Sequence, residues 1–138
     1  MKHLLLDTNV IIDFLADRNP YSEPASLLLD LGTKKKAKIY CSAISFNNIY
    51  YLFRQSHTHG PAIKLLKDLA AMTEVVALDG SIVSQSLQSG FRDFEDAIQY
   101  YSAFSLSKLD GIVTRNTKDF SKSELPILTP TEALSLFL

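Results

Sequence analysis

Acidic side chains occur at two places where the chain could use them for chemistry. Asp7 directly follows the apolar run Leu4–Leu6. A second group, within four residues of one another, consists of Asp93, Glu95 and Asp96. An unpaired carboxylate that is drawn towards a hydrophobic core costs free energy, which hydrogen bonds or a bound cation can offset. Carboxylates are also the ligands that Mg²⁺ and Mn²⁺ prefer, so these residues indicate binding of a hard divalent cation.

Each of these acids also has a purely structural interpretation. Asp7 could cap the helix that follows it, and acids in the first turn of a helix complement the helix dipole. Asp93 and Asp96 are three residues apart and share one helix face. Because Asp96 lies beside apolar residues that should face the sheet, we expect it to be the metal ligand. We expect Asp93 and Glu95 to be more exposed, and Asp93 is the candidate supporting acid.

Short apolar runs and amphipathic helices alternate along the chain, and they supply the scaffold for these acids. A helix capped by Thr8 is predicted after the first strand, and the last helix should open at Pro130. The alternation predicts an α/β fold, with a four- to five-stranded parallel sheet between two layers of helices. The predicted strands are residues 3–6, 38–42, 74–78, 111–114 and 126–128.

The predicted sheet gathers polar side chains at one edge. In open parallel sheets, sites lie beyond the carboxyl ends of the strands, where the strand order reverses. Asp7 follows the first strand, Asn47 and Asn48 lie in the helix after the second, and residues 115–119 follow the fourth. We therefore expect these side chains to lie near one another.

Composition restricts the broad class of the protein. The 138 residues carry a net charge of −1, so any contact with RNA must come from a local arrangement of charges. Cys41 is the only cysteine, which excludes an internal disulfide and favours a reducing compartment. Asp7 and Asp13 interrupt the apolar N-terminal stretch, so neither a signal peptide nor a membrane span is expected. The prediction is one cytoplasmic domain over residues 1–138.

Three segments, in this order, resemble the motifs of a known family. Residues 5–13 (LLDTNVIID) resemble the opening motif of PIN-domain nucleases, and residues 93–97 (DFEDA) resemble the stretch that carries their third acid. Residues 112–120 (IVTRNTKDF) are similar to the closing motif. The resemblance that these segments carry covers nearly the whole chain, and the most similar members are the VapC-like toxins of bacterial toxin–antitoxin systems.

The resemblance implies a PIN-like three-layer fold and an Mg²⁺- or Mn²⁺-dependent endoribonuclease, a hydrolase that cuts RNA phosphodiester bonds. It further implies a toxin whose partner is a small antitoxin protein, with a homodimer as an additional assembly to test. The catalytic acids map to Asp7, Asp96 and Asp119. The metal ligands map to the same three acids together with Asn48 and Asn116.

One position departs from the family pattern. Residues 42–51 resemble the segment where the family usually has a glutamate, and the matching position is Asn48. An amide can coordinate a hard cation through its carbonyl oxygen, but it brings no charge. Asn48→Glu is therefore predicted to tighten metal binding. The alternative function is a catalytically weakened PIN-like domain that acts as an RNA- or protein-binding module.

Basic residues suggest where RNA phosphates could bind. Arg115 and Lys118 follow the fourth predicted strand, at the same edge of the sheet as the acids, and they are the predicted RNA contacts. The lysine-rich run 34–38 should lie at the opposite edge, where lysines complement a helix C-terminus.

Two other classes of enzyme and signalling domain place an aspartate after the first strand. A haloacid-dehalogenase-like phosphatase requires a second aspartate two residues after the first, and this chain has Asn9 there. A phosphoacceptor receiver domain requires adjacent acids at this strand end, where the chain has Leu6 before Asp7. Both readings are disfavoured.

Overall fold

Five short strands pair in one parallel sheet in the computed structural model, which describes residues 1–138. In chain order the strands are β1 (Lys2–Leu6), β2 (Ala37–Ser42), β3 (Glu74–Val76), β4 (Gly111–Val113) and β5 (Ile127–Leu128). They lie side by side in the order β3-β2-β1-β4-β5, and all four neighbouring pairs are parallel. The predicted fold class and sheet are confirmed.

Seven α-helices connect and flank these strands. They are α1 (Thr8–Leu15), α2 (Ser22–Thr33), α3 (Ala43–Arg54), α4 (His59–Met72), α5 (Gly80–Leu87), α6 (Phe94–Phe104) and α7 (Pro130–Ser135). A 3-10 helix, Thr117–Phe120, follows β4 and was not predicted. None of the helices is both long and apolar enough to cross a bilayer.

The central strand β1 is buried on both faces. Leu4 and Leu6 point into one apolar cluster with side chains of α1, α2, α3, α4 and α7. Leu5, which points to the opposite face, packs in a second cluster with side chains of α6, β4 and the 3-10 helix. Successive side chains of a strand alternate between faces, so a continuous apolar run needs helices on both sides. This arrangement gives the three layers.

The strand order reverses beside β1, and this reversal creates the edge where a site belongs. The chain builds β2 and β3 on one side of β1, then crosses over to place β4 and β5 on the other. Leu6 pairs with Val113 at the carboxyl ends of β1 and β4. The next backbone N–H, that of Asp7, donates to the Val113 carbonyl at 2.9 Å. Asp7 therefore emerges at the switch point of the sheet.

Candidate active site

Asp7 is buried at the end of β1 and is held by two strong hydrogen bonds. Its side chain is the N-cap of α1, and Oδ1 accepts from the Thr8 backbone N–H at 2.7 Å. The prediction that Thr8 is the N-cap was therefore wrong. Thr8 is already the first residue of α1, so the cap is the residue before it, Asp7. Oδ2 accepts from the Thr114 hydroxyl, beyond β4, at 2.8 Å. The first residue of α1 and the residue that follows β4 thus each hold one oxygen of this carboxylate.

Burial raises the pKa of Asp7 to about 6. The bonds from Thr114 and Thr8 oppose this effect because they stabilise the charged form, whereas Glu95 and Asp119 raise the pKa further. With only 6% of its surface exposed, Asp7 has little water to stabilise its charge. The metal-free protein therefore holds this charge at a cost.

The N-terminus of α6 brings a second carboxylate, that of Asp96, within electrostatic reach of Asp7. Asp93 is the N-cap of α6, is exposed, and accepts from the Asp96 backbone N–H at 3.0 Å. Asp96 is half-buried, and burial raises its pKa to about 7. The charges of Asp93, Asp7, Asp119 and Glu95, in that order, raise it further. Acids from β1, α6 and the 3-10 helix therefore act on one another electrostatically.

Glu95 is more closely involved than the sequence suggested. It was expected to be more exposed than Asp96, but it is half-buried in the same way. Its Oε1 accepts from Asn48 Nδ2 at 2.6 Å and from Thr8 Oγ1 at 3.3 Å. That expectation was wrong because the first turn of α6 lies against both α1 and α3, which a helical pattern alone does not reveal.

A buried polar network lies beneath these acids. Gln99, which is fully buried in α6, donates from Nε2 to Thr8 Oγ1 at 2.9 Å and to Ser45 Oγ at 2.7 Å. Its Oε1 accepts from Ser42 Oγ at 2.8 Å. Since buried polar groups must be paired, the network fixes α6 against α1 and the start of α3. This network was not predicted from the sequence, although a glutamine on the apolar face of α6 was an available signal.

Gln99→Leu is expected to destabilise the protein by about 2 kcal/mol, because the hydroxyls of three buried residues lose a partner. The control is Ser102→Ala on the same helix: the Ser102 hydroxyl is buried without a hydrogen-bond partner, so its removal should be neutral or stabilising. Urea unfolding of both variants measures the difference. Equal stabilities for the two variants would contradict the role of the network.

The segment after β4 contributes exposed polar groups. Asn116 is the N-cap of the 3-10 helix, and its side chain makes no capping hydrogen bond. Lys118 and Asp119 are also exposed, and both line an open cleft of about 420 Å³. The acids of this cleft are Asp93, Asp96 and Asp119, and its cations are Arg92, Lys118 and Lys122. Such a mixture can hold a cation at its centre and phosphate groups at its rim.

Arg115, the other predicted RNA contact, is not among the residues that line this cleft. Its guanidinium bonds Asp13 in a bidentate pair, with Nε–Oδ2 at 2.6 Å and Nη2–Oδ1 at 3.1 Å. The guanidinium also stacks 4.0 Å from the centre of the Tyr21 ring. The Asp13 side chain is only 1% exposed, so this ion pair belongs to the packing of α1.

The donor set suits a hard divalent cation. It is made of carboxylate and amide oxygens, and the carboxylates destabilise one another's charge as they stand. As they are placed, no three carboxylate, imidazole or thiol groups lie close enough together to hold one ion. Asp96 and Asp119 keep enough exposure to reorient, whereas Asp7 is fixed. Asp7 would therefore be the anchor around which the other ligands move.

A parallel α/β fold with acids at its switch point agrees with what sequence comparison finds. The model of the PIN domain family matches residues 3–118, and the chain belongs to this family. No curated protein matches the sequence.

Solved structures with similar folds include a protein named VapBC-1, a complex described as toxin–antitoxin and a protein described as a toxin. VapBC-1 from nontypeable Haemophilus influenzae is 18% identical, with a TM-score of 0.69, over 94% of this chain and 98% of that one. A toxin–antitoxin complex from Klebsiella pneumoniae is 23% identical, with a TM-score of 0.65, over 92% and 97%. VapC20 from Mycobacterium tuberculosis, described as a sarcin–ricin loop cleaving toxin, is 13% identical, with a TM-score of 0.59, over 79% and 86%. These identities establish likeness of fold.

Proposed function

We propose that this PIN-domain protein is a metal-dependent endoribonuclease and the toxin of a toxin–antitoxin pair, with residues 1–138 acting as one domain. The observation that carries the proposal is a buried carboxylate, Asp7, fixed at the switch point of the sheet, whose charge raises the pKa of Asp96 together with the charges of Asp93, Asp119 and Glu95. A carboxyl group whose pKa is raised by burial and by neighbouring acids is typical of sites that perform chemistry.

The proposed site divides its work among few side chains. A bound Mg²⁺ or Mn²⁺ would polarise a phosphoryl oxygen and activate a water. Asp7, Asp96 and Asp119 are the proposed catalytic acids and metal ligands, and Asn48 and Asn116 complete the ligand set assigned from the sequence. Asp7 would keep its orientation through its hydrogen bonds from Thr8, at the start of α1, and from Thr114, after β4.

RNA would bind beside these acids along the cleft. Lys118 lies on the cleft and can contact a phosphate next to the scissile bond. Arg115 can do so only with the part of its guanidinium that Asp13 leaves free, because its side chain is 28% exposed. Lys118 is therefore the better supported of the two predicted RNA contacts.

A small antitoxin protein is the proposed partner. Similar folds occur in complexes described as VapBC and as a toxin–antitoxin complex, which supports this assignment. A cation on an inserted segment of the partner could pair with the carboxylates of the cleft. A homodimer is a further proposed assembly, and the cytoplasm, where RNA is accessible, is the proposed location.

The proposal is tested by incubating the purified protein with single-stranded RNA. We expect cleavage with Mn²⁺ or Mg²⁺ and none with a chelator. Asp96→Asn should lose about a hundredfold or more in rate, since even supporting residues of metal sites contribute 10–100-fold. Asp68→Asn, on an exposed turn of α4, is the matched control and should cleave normally.

Cleavage that survives the chelator, or an unchanged rate for Asp96→Asn, would contradict the proposal. RNA binding without cleavage at any metal concentration would instead support the alternative, a PIN-like domain that has become a binding module. The neutral Asn48 at the usual glutamate position is the feature that favours this alternative.

A further inference from the structure

Asn48 and Glu95 form one of the shortest side-chain contacts near the candidate site. The Asn48 amide nitrogen, from the second turn of α3, donates to Glu95 Oε1, in the first turn of α6, at 2.6 Å. A hydrogen bond to an ionised carboxylate is shorter and stronger than one between neutral groups. The amide of Asn48 therefore serves as a donor to Glu95, in addition to whatever its carbonyl oxygen can bind.

Glu95 is held at one oxygen only. Thr8 Oγ1 also donates to Oε1, at 3.3 Å, so α1 and α3 both fix that oxygen. The second oxygen, Oε2, takes part in no hydrogen bond with the protein. Thr8 directly follows Asp7, and the charge of Glu95 acts on both Asp7 and Asp96. One oxygen of Glu95 is thus anchored beside the acids while the other is available.

We infer that Glu95 supplies, from α6, the metal-binding carboxylate that position 48 lacks on α3, and that Asn48 is the residue that positions it. This inference rests on the proposed metal-dependent function. The negative charge of the site is then the same as that of a site with a glutamate at position 48 and a neutral residue at position 95. Glu95 supplies the charge that Asn48 does not carry. If positions 48 and 95 were both acidic, two carboxylates would meet at hydrogen-bond distance, so we expect only one of the two residues to be acidic.

The contact changes what is expected of Asn48→Glu. Considered from the sequence, this substitution adds a ligand and tightens metal binding. In the structure, the new carboxylate would face Glu95 where the amide now donates to it, so repulsion offsets the gain. The two carboxylates should therefore compete, and transferring the charge from position 95 to position 48 should be tolerated better than adding a second one.

Calorimetric titration with Mn²⁺, without RNA, tests the inference on the full chain. The proteins are the parent, Glu95→Gln, Asn48→Glu, the exchange Asn48→Glu/Glu95→Gln, and Asp68→Asn as control. We expect Glu95→Gln to weaken Mn²⁺ binding about tenfold, as loss of one supporting contact does at other metal sites. Asn48→Glu alone should give no gain. The exchange should return the affinity to within about threefold of the parent, a difference of well under 1.4 kcal/mol.

Melting of the metal-free proteins provides a second readout. Asn48→Glu should lower Tm by a few degrees through carboxylate repulsion, and the exchange should restore it. A Glu95→Gln variant that binds Mn²⁺ as tightly as the parent, or an exchange variant no better than Glu95→Gln, would overturn the inference. So would a Tm for Asn48→Glu equal to that of the parent together with tighter Mn²⁺ binding.

The outcomes also separate this inference from the proposed function. A parent that binds Mn²⁺ through Glu95 but never cleaves RNA refutes the nuclease and supports the role of Glu95. A parent that cleaves RNA with Mn²⁺, beside a Glu95→Gln variant of unchanged affinity, refutes only the role of Glu95. A parent that does not bind Mn²⁺ overturns the role of Glu95, and one that in addition cleaves no RNA with Mg²⁺ overturns both.

Discussion

Asp7→Asn is expected to abolish RNA cleavage and, in the same protein, to stabilise the metal-free fold at pH 8. Cleavage should disappear because Asp7, a buried carboxylate held at both of its oxygens, is lost from the site. Stability should rise because the parent keeps a buried charge whose pKa is about 6 instead of 3.8. A shift of about two pKa units corresponds to roughly 3 kcal/mol. Asparagine loses an acceptor for the Thr114 hydroxyl, which costs about 1 kcal/mol and leaves a net gain of about 1–2 kcal/mol.

The effect of Asp7 on the free energy of unfolding depends on pH, and its direction follows from the raised pKa. Because folding raises the pKa of Asp7, the folded state binds the proton more tightly than the unfolded state. The stabilisation is complete below about pH 4, and it is lost as the pH rises through about 6. Asp96, with a pKa of about 7, acts in the same direction, weakened by its solvent exposure. The parent should therefore lose stability between pH 5 and pH 8 relative to Asp7→Asn.

Urea unfolding in the presence of a chelator, at pH 5 and at pH 8, measures both effects. Asp68→Asn, an exposed residue of α4, is the control and should follow the parent at both pH values. An Asp7→Asn variant that is less stable than the parent at pH 8 and still cleaves RNA would show that Asp7 is only the N-cap of α1. A destabilised variant without cleavage would contradict the predicted charge cost.

The sequence was sufficient for the fold because the signals for it are local. An apolar run that ends at Asp7 predicts a buried strand, and the proline at position 130 marks the start of α7; both are in the structure. The rule that sites lie beyond the carboxyl ends of parallel strands predicted that Asp7 would lie near the residues that follow β4, and the pairing of β1 with β4 puts it there. These features depend on neighbouring residues and on chirality, which a single sequence contains.

The pairing of polar groups across elements was not predictable in the same way. Glu95 and Asp96 are adjacent in sequence, and helical periodicity favours Asp96 as the inward acid. Whether Glu95 meets Asn48, 47 residues away, depends on how closely α6 approaches α3. The bonds of Gln99 to Thr8 and Ser45 depend on the same approach. Such contacts are set by helix packing, which is why the prediction that Glu95 is more exposed than Asp96 was wrong.

The contact of Arg115 with Asp13 was likewise not predictable from the sequence, and it has a larger expected effect on the free energy of unfolding. Its place after β4 made it a predicted RNA contact, yet its partner Asp13 lies 102 residues earlier, in α1. An aspartate in an amphipathic helix usually faces water, but this one is buried. Its burial requires a cation that can bond both of its oxygens, which an arginine does and a lysine cannot do in the same geometry.

Arg115→Leu is therefore expected to destabilise the protein by about 3–5 kcal/mol, since it leaves a buried carboxylate without its partner. Arg18 Nη1 lies 4.0 Å from Asp13 Oδ1 and can recover only part of the loss, because its side chain is half exposed. The loss should be visible by urea unfolding at pH 7. Lys118→Ala, at the exposed cleft, is the matched control: it should leave stability unchanged and weaken RNA cleavage.

The double variant Asp13→Leu/Arg115→Leu separates an ion pair from simple packing. Replacing both charges by apolar groups removes the unpaired carboxylate, so the double variant should be within about 1–2 kcal/mol of the parent. Its cleavage rate per folded molecule should remain close to that of the parent, because Arg115 is outside the cleft. If Arg115→Leu is as stable as the parent but loses RNA cleavage, Arg115 is an RNA contact and the Asp13 pair is incidental. If the double variant is as unstable as Arg115→Leu, packing of the guanidinium against Tyr21 accounts for the stability, and the charge of Asp13 does not.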